Sequence, residues 1–490
     1  MTAEHEVVVV GAGFAGIAAA LELEAAGIAD VVILERAGDL GGTWRDNTYP
    51  GVACDVPAHL YTLARHPWPH WSREFAPGAE IQAYLRRVAA STGIDGRIRF
   101  DTALVEAHWD GDAWALQTTR GARRARMLIL ACGRLTEPSI PQVHGLAAFP
   151  GPVVHSARWD PTLAVAGTRI AVVGTGASGV QMVPELVRRG AAVTLFQRSA
   201  PWVLPRGGRT YTDAERRRFA SRPDVLAALR EDLFQEGEAR HASRAGDAAA
   251  AAAASDQALA HLRAHVTDPA LRASLTPNYA FGCKRVLLSD DFYPAVASDA
   301  VTLEPSALAR ADADTLVAAS GRRHTVDAVV LATGFRATRQ PYADLITGED
   351  GISLDEHWAT GMSSALSTIV SGFPNLFILN GPNASLGHNS SLLMLEEQAA
   401  YAARTIAARP TGAILRPDPV AEQAYTDMIV RRSRTTAWVT GGCRSWYVDE
   451  RSGRLTLLWP GTVTEFRAQL RAADGTEFLR EPATERSTTP

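Results

Sequence analysis

Three groups of residues have the types and spacing to do chemistry. Gly11, Gly13 and Gly16 stand in GAGFAG directly after an apolar run, and Glu35 closes the next such run, VVILE. A glycine-rich turn between strand and helix lets backbone approach a pyrophosphate, whose charge meets free N–H groups at the helix start. An acid about 20 residues further on can accept hydrogen bonds from a ribose diol. Gly174, Gly176 and Gly179 repeat the turn, but the strand that follows, VTLFQ, runs into Arg198 and has no acid. Counting from the first glycine sets Arg198 opposite Glu35, whereas matching the strands sets Gln197 there. Either register removes the carboxylate and leaves a guanidinium within reach. A carboxylate would repel a 2′-phosphate and an arginine fork would bind one, so the second dinucleotide is expected to be NADP rather than NAD. Two dinucleotides in one chain imply electron transfer between them.

The third group lies outside the turns. Asp55 ends LGGTWRDNTYPGVACD, a loop rich in Gly, Pro, Asn and Asp that follows the first nucleotide unit's second strand; it is either a carboxylate beside the cofactor or the cap of a turn. Lys284 and Arg285 are adjacent in FGCKRVLLSD. Neighbouring bases usually form a solvated edge, but Cys283, Val286, Leu287 and Leu288 allow a buried cation, which needs an anion to meet it. Trp446, in a glycine-bounded loop, is either a mobile cover or a packed aromatic.

The elements that must position these groups are those of an α/β chain. At 490 residues it is too long for one core. The pattern predicts two dinucleotide-binding, Rossmann-like domains: the first part of one over 1–145, the first part of the other over 146–208, a helical insertion over 209–279, then the second unit again over 280–370 and the first again over 371–490. A helix is expected at 78–92, with Ile81, Tyr84, Leu85 and Val88 on one face. IRF, VEAHWD and AWALQTT are expected to form a small antiparallel sheet, and ARMLILACGR a buried strand ending near Gly133. The alanine-rich run near 250 reads as a surface helix or a flexible connection, and the polar tail at 481–490 as frayed.

Composition excludes much else. A net charge of −4 without a basic block gives no footprint for nucleic acid, and the 13 His have no metal-ligand spacing. No stretch approaches a membrane span. Cys54, Cys132, Cys283 and Cys443 lie far apart with no CxxC pair, so they read as reduced thiols, and a flavin disulfide reductase is disfavoured for want of a paired redox cysteine. The acidic start is unlike a signal peptide, so a cytoplasmic location is expected.

Between the two glycine turns stand Phe149, Gly151, His155, Trp159 and Asp160, and the loop at 40–55 carries Gly41, Gly42, Trp44, Tyr49, Pro50, Gly51 and Asp55. These two strings resemble those of the type I Baeyer-Villiger monooxygenases, within the class B flavin-dependent monooxygenases. The resemblance covers essentially the whole chain, and the Trp-Asp ending of the first string favours the Baeyer-Villiger branch over relatives that oxygenate an amine or sulfide. It implies FAD in the first unit, with Trp44 and Asp55 near it, and NADPH in the second, with Lys284 helping to hold the 2′-phosphate. It further implies that Arg285 is the catalytic arginine, that Asp55 positions it, and that Trp446 belongs to a control loop near 438–452 folding over the nicotinamide nucleotide. The implied reaction inserts one atom of O2 beside a ketone carbonyl, by way of a flavin C4a-peroxide, to give an ester or lactone.

Overall fold

The computed structural model describes residues 3–479; the tail at 481–490 lies outside the described residues. The chain opens with strand β1 (Ala3–Val10), helix α1 (Phe14–Ala25), β2 (Val31–Leu34), α2 (Thr43–Asp46), α3 (Gly78–Thr92), β3 (Ile98–Arg99), β4 (Leu104–Trp109), β5 (Trp114–Thr118) and β6 (Gly121–Leu130). Val7, Val8 and Val9 are fully buried because the sheet is covered on both faces, the environment that makes a strand an unbroken apolar run. β1 lies between β2 and β6, parallel to both. In α3, Ile81, Tyr84, Leu85 and Val88 are the buried stripe, as the periodicity predicts.

One pairing differs from expectation. IRF supplies β3, which runs parallel to β2 with Ile33 opposite Ile98, and only β4, β5 and β6 form the antiparallel meander. α3 is the reason, since a crossover helix between two strands returns the chain in the parallel sense.

The second sheet has five strands and is parallel throughout. It takes in β7 (Val153–His155), β8 (Arg169–Val173), β9 (Ala192–Phe196), β12 (Val301–Glu304) and β16 (Ala328–Leu331), with α4 (Ala177–Arg188) joining β8 to β9. Between β9 and β12 come β10 (Val203–Leu204), α5 (Asp213–Ser221), α6 (Pro223–Ala239), α7 (Ala248–His265), α8 (Pro269–Ser274), β11 (Leu287–Leu288) and α9 (Phe292–Val296). The alanine-rich run is thus a helix, α7, started by Asp247, whose side chain accepts a hydrogen bond from the Ala250 N–H. β13 (Leu308–Asp312), β14 (Thr315–Ala318) and β15 (Arg323–Thr325) make a small antiparallel sheet of their own.

The chain then returns to the first sheet. β17 (Ile346–Thr347) pairs with β4 and β18 (Leu376–Ile378) with β6, so the return comes before residue 371, where the sequence reading set it. α10 (Leu354–His357) lies between these strands; α11 (Ser391–Ala408), α12 (Pro419–Ser433), α13 (Ala437–Thr440) and α14 (Val463–Arg471) follow, with α11 packed on α1.

Phe149 and Gly151 lead into edge strand β7, which His155 ends. A Cβ on Gly151 would lie 2.0 Å from the Asp327 carbonyl oxygen and 2.8 Å from the Phe149 ring, so glycine is needed for contact between two backbones. Gly151→Ala is expected to cost about 2 kcal/mol of stability, the scale of an overpacked core, read as a lowered unfolding midpoint in urea.

Candidate active site

Each glycine turn is built the same way. Gly11 has φ 109° and Gly174 φ 116°; a Cβ on either would lie 2.5 Å from a carbonyl oxygen of the adjacent strand, that of Ala131 or Ala332. A Cβ on Gly16 would lie 1.8 Å from the Gly11 oxygen, and one on Gly179 2.2 Å from the Gly174 oxygen, which holds each helix close against its strand. Gly13 and Gly176 begin α1 and α4, and no side chain caps either helix, so both N-termini keep N–H groups for an anion.

The turns differ one step beyond the second strand. The Gly11 N–H donates to the Leu34 oxygen and the Gly174 N–H to the Phe196 oxygen, making Gln197 the structural counterpart of Glu35. Glu35 is buried; its carboxylate accepts from the Ala12 N–H at 2.9 Å, the Ala37 N–H at 3.0 Å and Arg45 Nη1 at 2.8 Å. Gln197 is turned away, donating to the Ser274 oxygen, while Arg198, the next residue, is exposed. Arg198, Ser199, Tyr279, Lys284, Cys443 and Arg444 line a cleft of about 290 Å³. Lys284 Nζ donates to Ser199 Oγ at 2.6 Å and sits 4.8 Å above the Tyr279 ring. Burial, and then the charge of Arg198, pushes the Lys284 pKa down, a state that a bound anion would relieve.

Asp55 and Arg285 meet, although 230 residues separate them: Arg285 Nε donates to Oδ2 at 2.8 Å and Nη2 to Oδ1 at 2.7 Å. The Asp55 charge, working against burial, holds the Arg285 pKa above that of ordinary arginine. The pair closes a seam made by the loop at 40–55. Tyr49 donates to Gln181 on α4 at 2.8 Å, Gln181 donates back to the Ala53 oxygen at 3.0 Å, and Arg206 donates to the Cys54 oxygen at 3.0 Å. Trp44, on α2, stands edge-on to Tyr61 at 5.6 Å and donates to its hydroxyl.

Sequence reasoning missed three side chains around this pair. Arg134 and Arg244 are buried, and burial lowers each guanidinium to about 10, still charged at neutral pH. Both feel the charge of Arg285, as does the buried phenol of Tyr447, whose pKa burial raises. Arg134 follows Gly133 at the end of a buried strand, a signal that was available; nothing in its sequence setting separates Arg244 from a surface arginine. Trp446 is 40% exposed and packs on Tyr447 with ring centres 4.4 Å apart. His155, Trp159 and Asp160 stay outside this cluster. His155 packs edge-on to Phe335, Trp159 on the second sheet's core, and Asp160 accepts from the Thr162 N–H and hydroxyl.

The cysteine reading is corrected. Cys283 and Cys443 form a disulfide, with Cα atoms 6.2 Å apart, while Cys54 and Cys132 are free. Their 160-residue separation hid the pairing, which depends on the last part of the chain folding back over the second unit. A further signal went unread: Lys284 is the only lysine in the chain, among 49 lysines and arginines together.

Removing Asp55 would leave a half-buried Arg285 unpaired. Asp55→Ala is expected to cost about 2 kcal/mol in urea unfolding, less than a fully buried pair because the cleft admits water. Asp55→Ala/Arg285→Ala should recover part of that loss; a purely additive double variant would show that the pair is not coupled.

Residues 8–206 match the family model described as pyridine nucleotide-disulphide oxidoreductase. The chain is 42% identical to a Baeyer-Villiger monooxygenase of Streptomyces coelicolor, over 97% of this chain and 94% of that one. It is 36% identical to a Baeyer-Villiger monooxygenase of Pseudomonas aeruginosa, over 96% and 91%. Among solved structures, closed cyclohexanone monooxygenase superposes with a TM-score of 0.87 at 25% identity, covering 99% of this chain and all of that one. Oxidized steroid monooxygenase bound to NADP superposes with a TM-score of 0.84 at 30% identity, covering 96% and 97%. OTEMO in complex with FAD and NADP gives a TM-score of 0.85 at 25% identity, covering 98% and 100%. Whole-length likeness at this level, on a frame of two glycine-turn nucleotide folds, makes the chain a member of the Baeyer-Villiger monooxygenase family.

Proposed function

We propose that the protein is an FAD- and NADPH-dependent monooxygenase that inserts one atom of O2 beside a ketone carbonyl, giving an ester or lactone. The observation that carries this reading is the bidentate Asp55–Arg285 pair at the junction of the two nucleotide units, with Arg134 and Arg244 buried nearby.

In this reading the first sheet, with β17 and everything after it, is the FAD unit, the second sheet is the NADPH unit, and α5–α8 are an insertion in the latter. FAD would be held by the turn of Gly11, Gly13 and Gly16, by the α1 N-terminus and by Glu35, with Trp44 beside it. NADPH would be held by Gly174, Gly176 and Gly179, by the α4 N-terminus, and by Arg198 and Lys284 at its 2′-phosphate. When bound and reduced, the flavin supplies the activation of O2 at its C4a position.

The rest of the chemistry belongs to this chain's own residues. Oxygen transfer to a ketone requires an unprotonated, negatively charged oxygen nucleophile and then gathers negative charge on the carbonyl oxygen. Arg285 offers N–H donors whose charge does not change at any working pH, and Arg134 and Arg244 add positive potential in a low-dielectric setting. Asp55 fixes the guanidinium fork in one orientation. The segment carrying Trp446 and Tyr447 covers the site and excludes water, which would otherwise divert reduced oxygen to hydrogen peroxide.

The test is turnover under ¹⁸O₂ with aryl, cyclic and aliphatic ketones beside sulfides and amines. An ester or lactone carrying one labelled oxygen is the expected product. Labelled sulfoxide or N-oxide with no ester would place the protein in the heteroatom-oxygenating branch, and NADPH oxidation yielding only hydrogen peroxide would remove the oxygenase reading.

A further inference from the structure

The cleft beside Arg198 and Lys284 has one wall from a distant part of the chain. Gly442, Cys443 and Arg444 belong to the segment that leads to Trp446, and they face Arg198, Ser199, Tyr279 and Lys284 across about 290 Å³. Two links hold that wall in place. The Ala280 N–H donates to the Gly441 oxygen at 2.9 Å, and Cys443 is disulfide-bonded to Cys283. A Cβ on Gly441 would lie 2.6 Å from the Cys283 Cβ, so glycine is what allows the approach. Because each cysteine directly precedes a cation, the disulfide brings Lys284 and Arg444 into one cleft.

Arg444 is also oriented. Its Nε and Nη2 donate to the two Glu450 oxygens at 2.7 and 2.8 Å in a largely exposed pair that favours one plane of the guanidinium and leaves Nη1 without a partner among the described residues. Arg198 makes no ion pair within 4 Å among the described residues, although its charge reaches the same Glu450 carboxylate. Three cations and one carboxylate give the cleft a net charge near +2, which complements a phosphate monoester, about −1.5 to −2 at neutral pH. The non-phosphorylated coenzyme offers only a neutral 2′-hydroxyl there.

We propose that Arg444 is a third ligand for the 2′-phosphate of the nicotinamide coenzyme, and that the Cys283–Cys443 disulfide is the anchor that presents it. The inference rests on the reading of Arg198 and Lys284 as the phosphate site and extends that site to the loop carrying Trp446. Coenzyme choice and loop position then share a residue, since a coenzyme lacking the 2′-phosphate would not engage Arg444. Reduction by a dithiol takes the two sulfurs to thiols, oxidises the dithiol to its cyclic disulfide, and frees the wall.

The experiment titrates NADP+ and NAD+ into the FAD-loaded enzyme, reading the flavin absorbance, for wild type, Arg198→Ala, Arg444→Ala and Cys443→Ser, and for wild type after dithiothreitol. Arg444→Ala is expected to weaken NADP+ about tenfold, as loss of one charge-assisted contact does, with NAD+ unchanged. Cys443→Ser and dithiothreitol should each weaken NADP+ several-fold, and Cys443→Ser should add nothing in the Arg444→Ala background. Titration of the denatured, unreduced protein should find two thiols.

Equal losses for both coenzymes in Arg444→Ala, or no loss, would overturn the role of Arg444. Four thiols, or NADP+ affinity indifferent to Cys443→Ser and dithiothreitol, would overturn the anchor. The phosphate-site reading has its own control, because Lys284 is the sole lysine. NADP+ but not NAD+ should shield it from an amine-reactive anhydride, followed by mass spectrometry of its peptide, and Arg198→Ala should separate the two coenzymes. If both controls fail, the phosphate site is wrong; if they hold and Arg444→Ala is silent, only this inference is.

Discussion

The Asp55–Arg285 ion pair is the contact on which the rest of the structure depends. A guanidinium that is to stand beside developing negative charge has to be held in one orientation without being neutralised. A bidentate carboxylate does this, because it fixes the fork through Nε and Nη2. The pair also sets the relation of the two nucleotide units, since Asp55 lies on a loop of the first and Arg285 on a segment of the second. Tyr49, Gln181 and Arg206 reinforce the same seam with neutral and charge-assisted hydrogen bonds. A relative shift of the two sheets would break all of these contacts together, so the orientation of Arg285 and the packing of the two units are one constraint.

Within that frame the two nucleotide units share one turn geometry and differ beyond the second strand. Both turns use a left-handed glycine against a neighbouring carbonyl and a second glycine that seats the helix. The difference is at the end of the second strand, where Glu35 is drawn into a hydrogen-bonded, buried setting while Gln197 turns toward the insertion and Arg198, beside it, lines the cleft. Lys284 then supplies a compact charge beside the Ser199 hydroxyl.

Much of this was legible in the sequence because it is local. Strand, turn and helix around Gly11 and Gly174 follow one another within a few residues, so periodicity and glycine spacing sufficed to read them. The Asp55 and Arg285 roles came from resemblance, since pattern alone left a turn cap and a solvated edge open; the structure brings the two together. What escaped is non-local. The disulfide joins residues 160 positions apart, and the buried Arg244 looks like any surface arginine until the chain closes over it. The parallel placement of β3 and the early return at β17 were missed for the same reason, because two-residue strands carry no periodicity of their own.

The most direct test of the central claim is the coupling of NADPH oxidation to oxygen insertion in Arg285→Ala, with bound FAD confirmed by its absorbance. If Arg285 stabilises the negative charge of oxygen transfer, the variant keeps its flavin and still oxidises NADPH. Its ester yield falls by about a hundredfold or more, and hydrogen peroxide accounts for the NADPH consumed. Ester formation at the wild-type yield per NADPH would contradict the account, because the pair with Asp55 would then be a structural clasp and the chemistry would have to lie elsewhere.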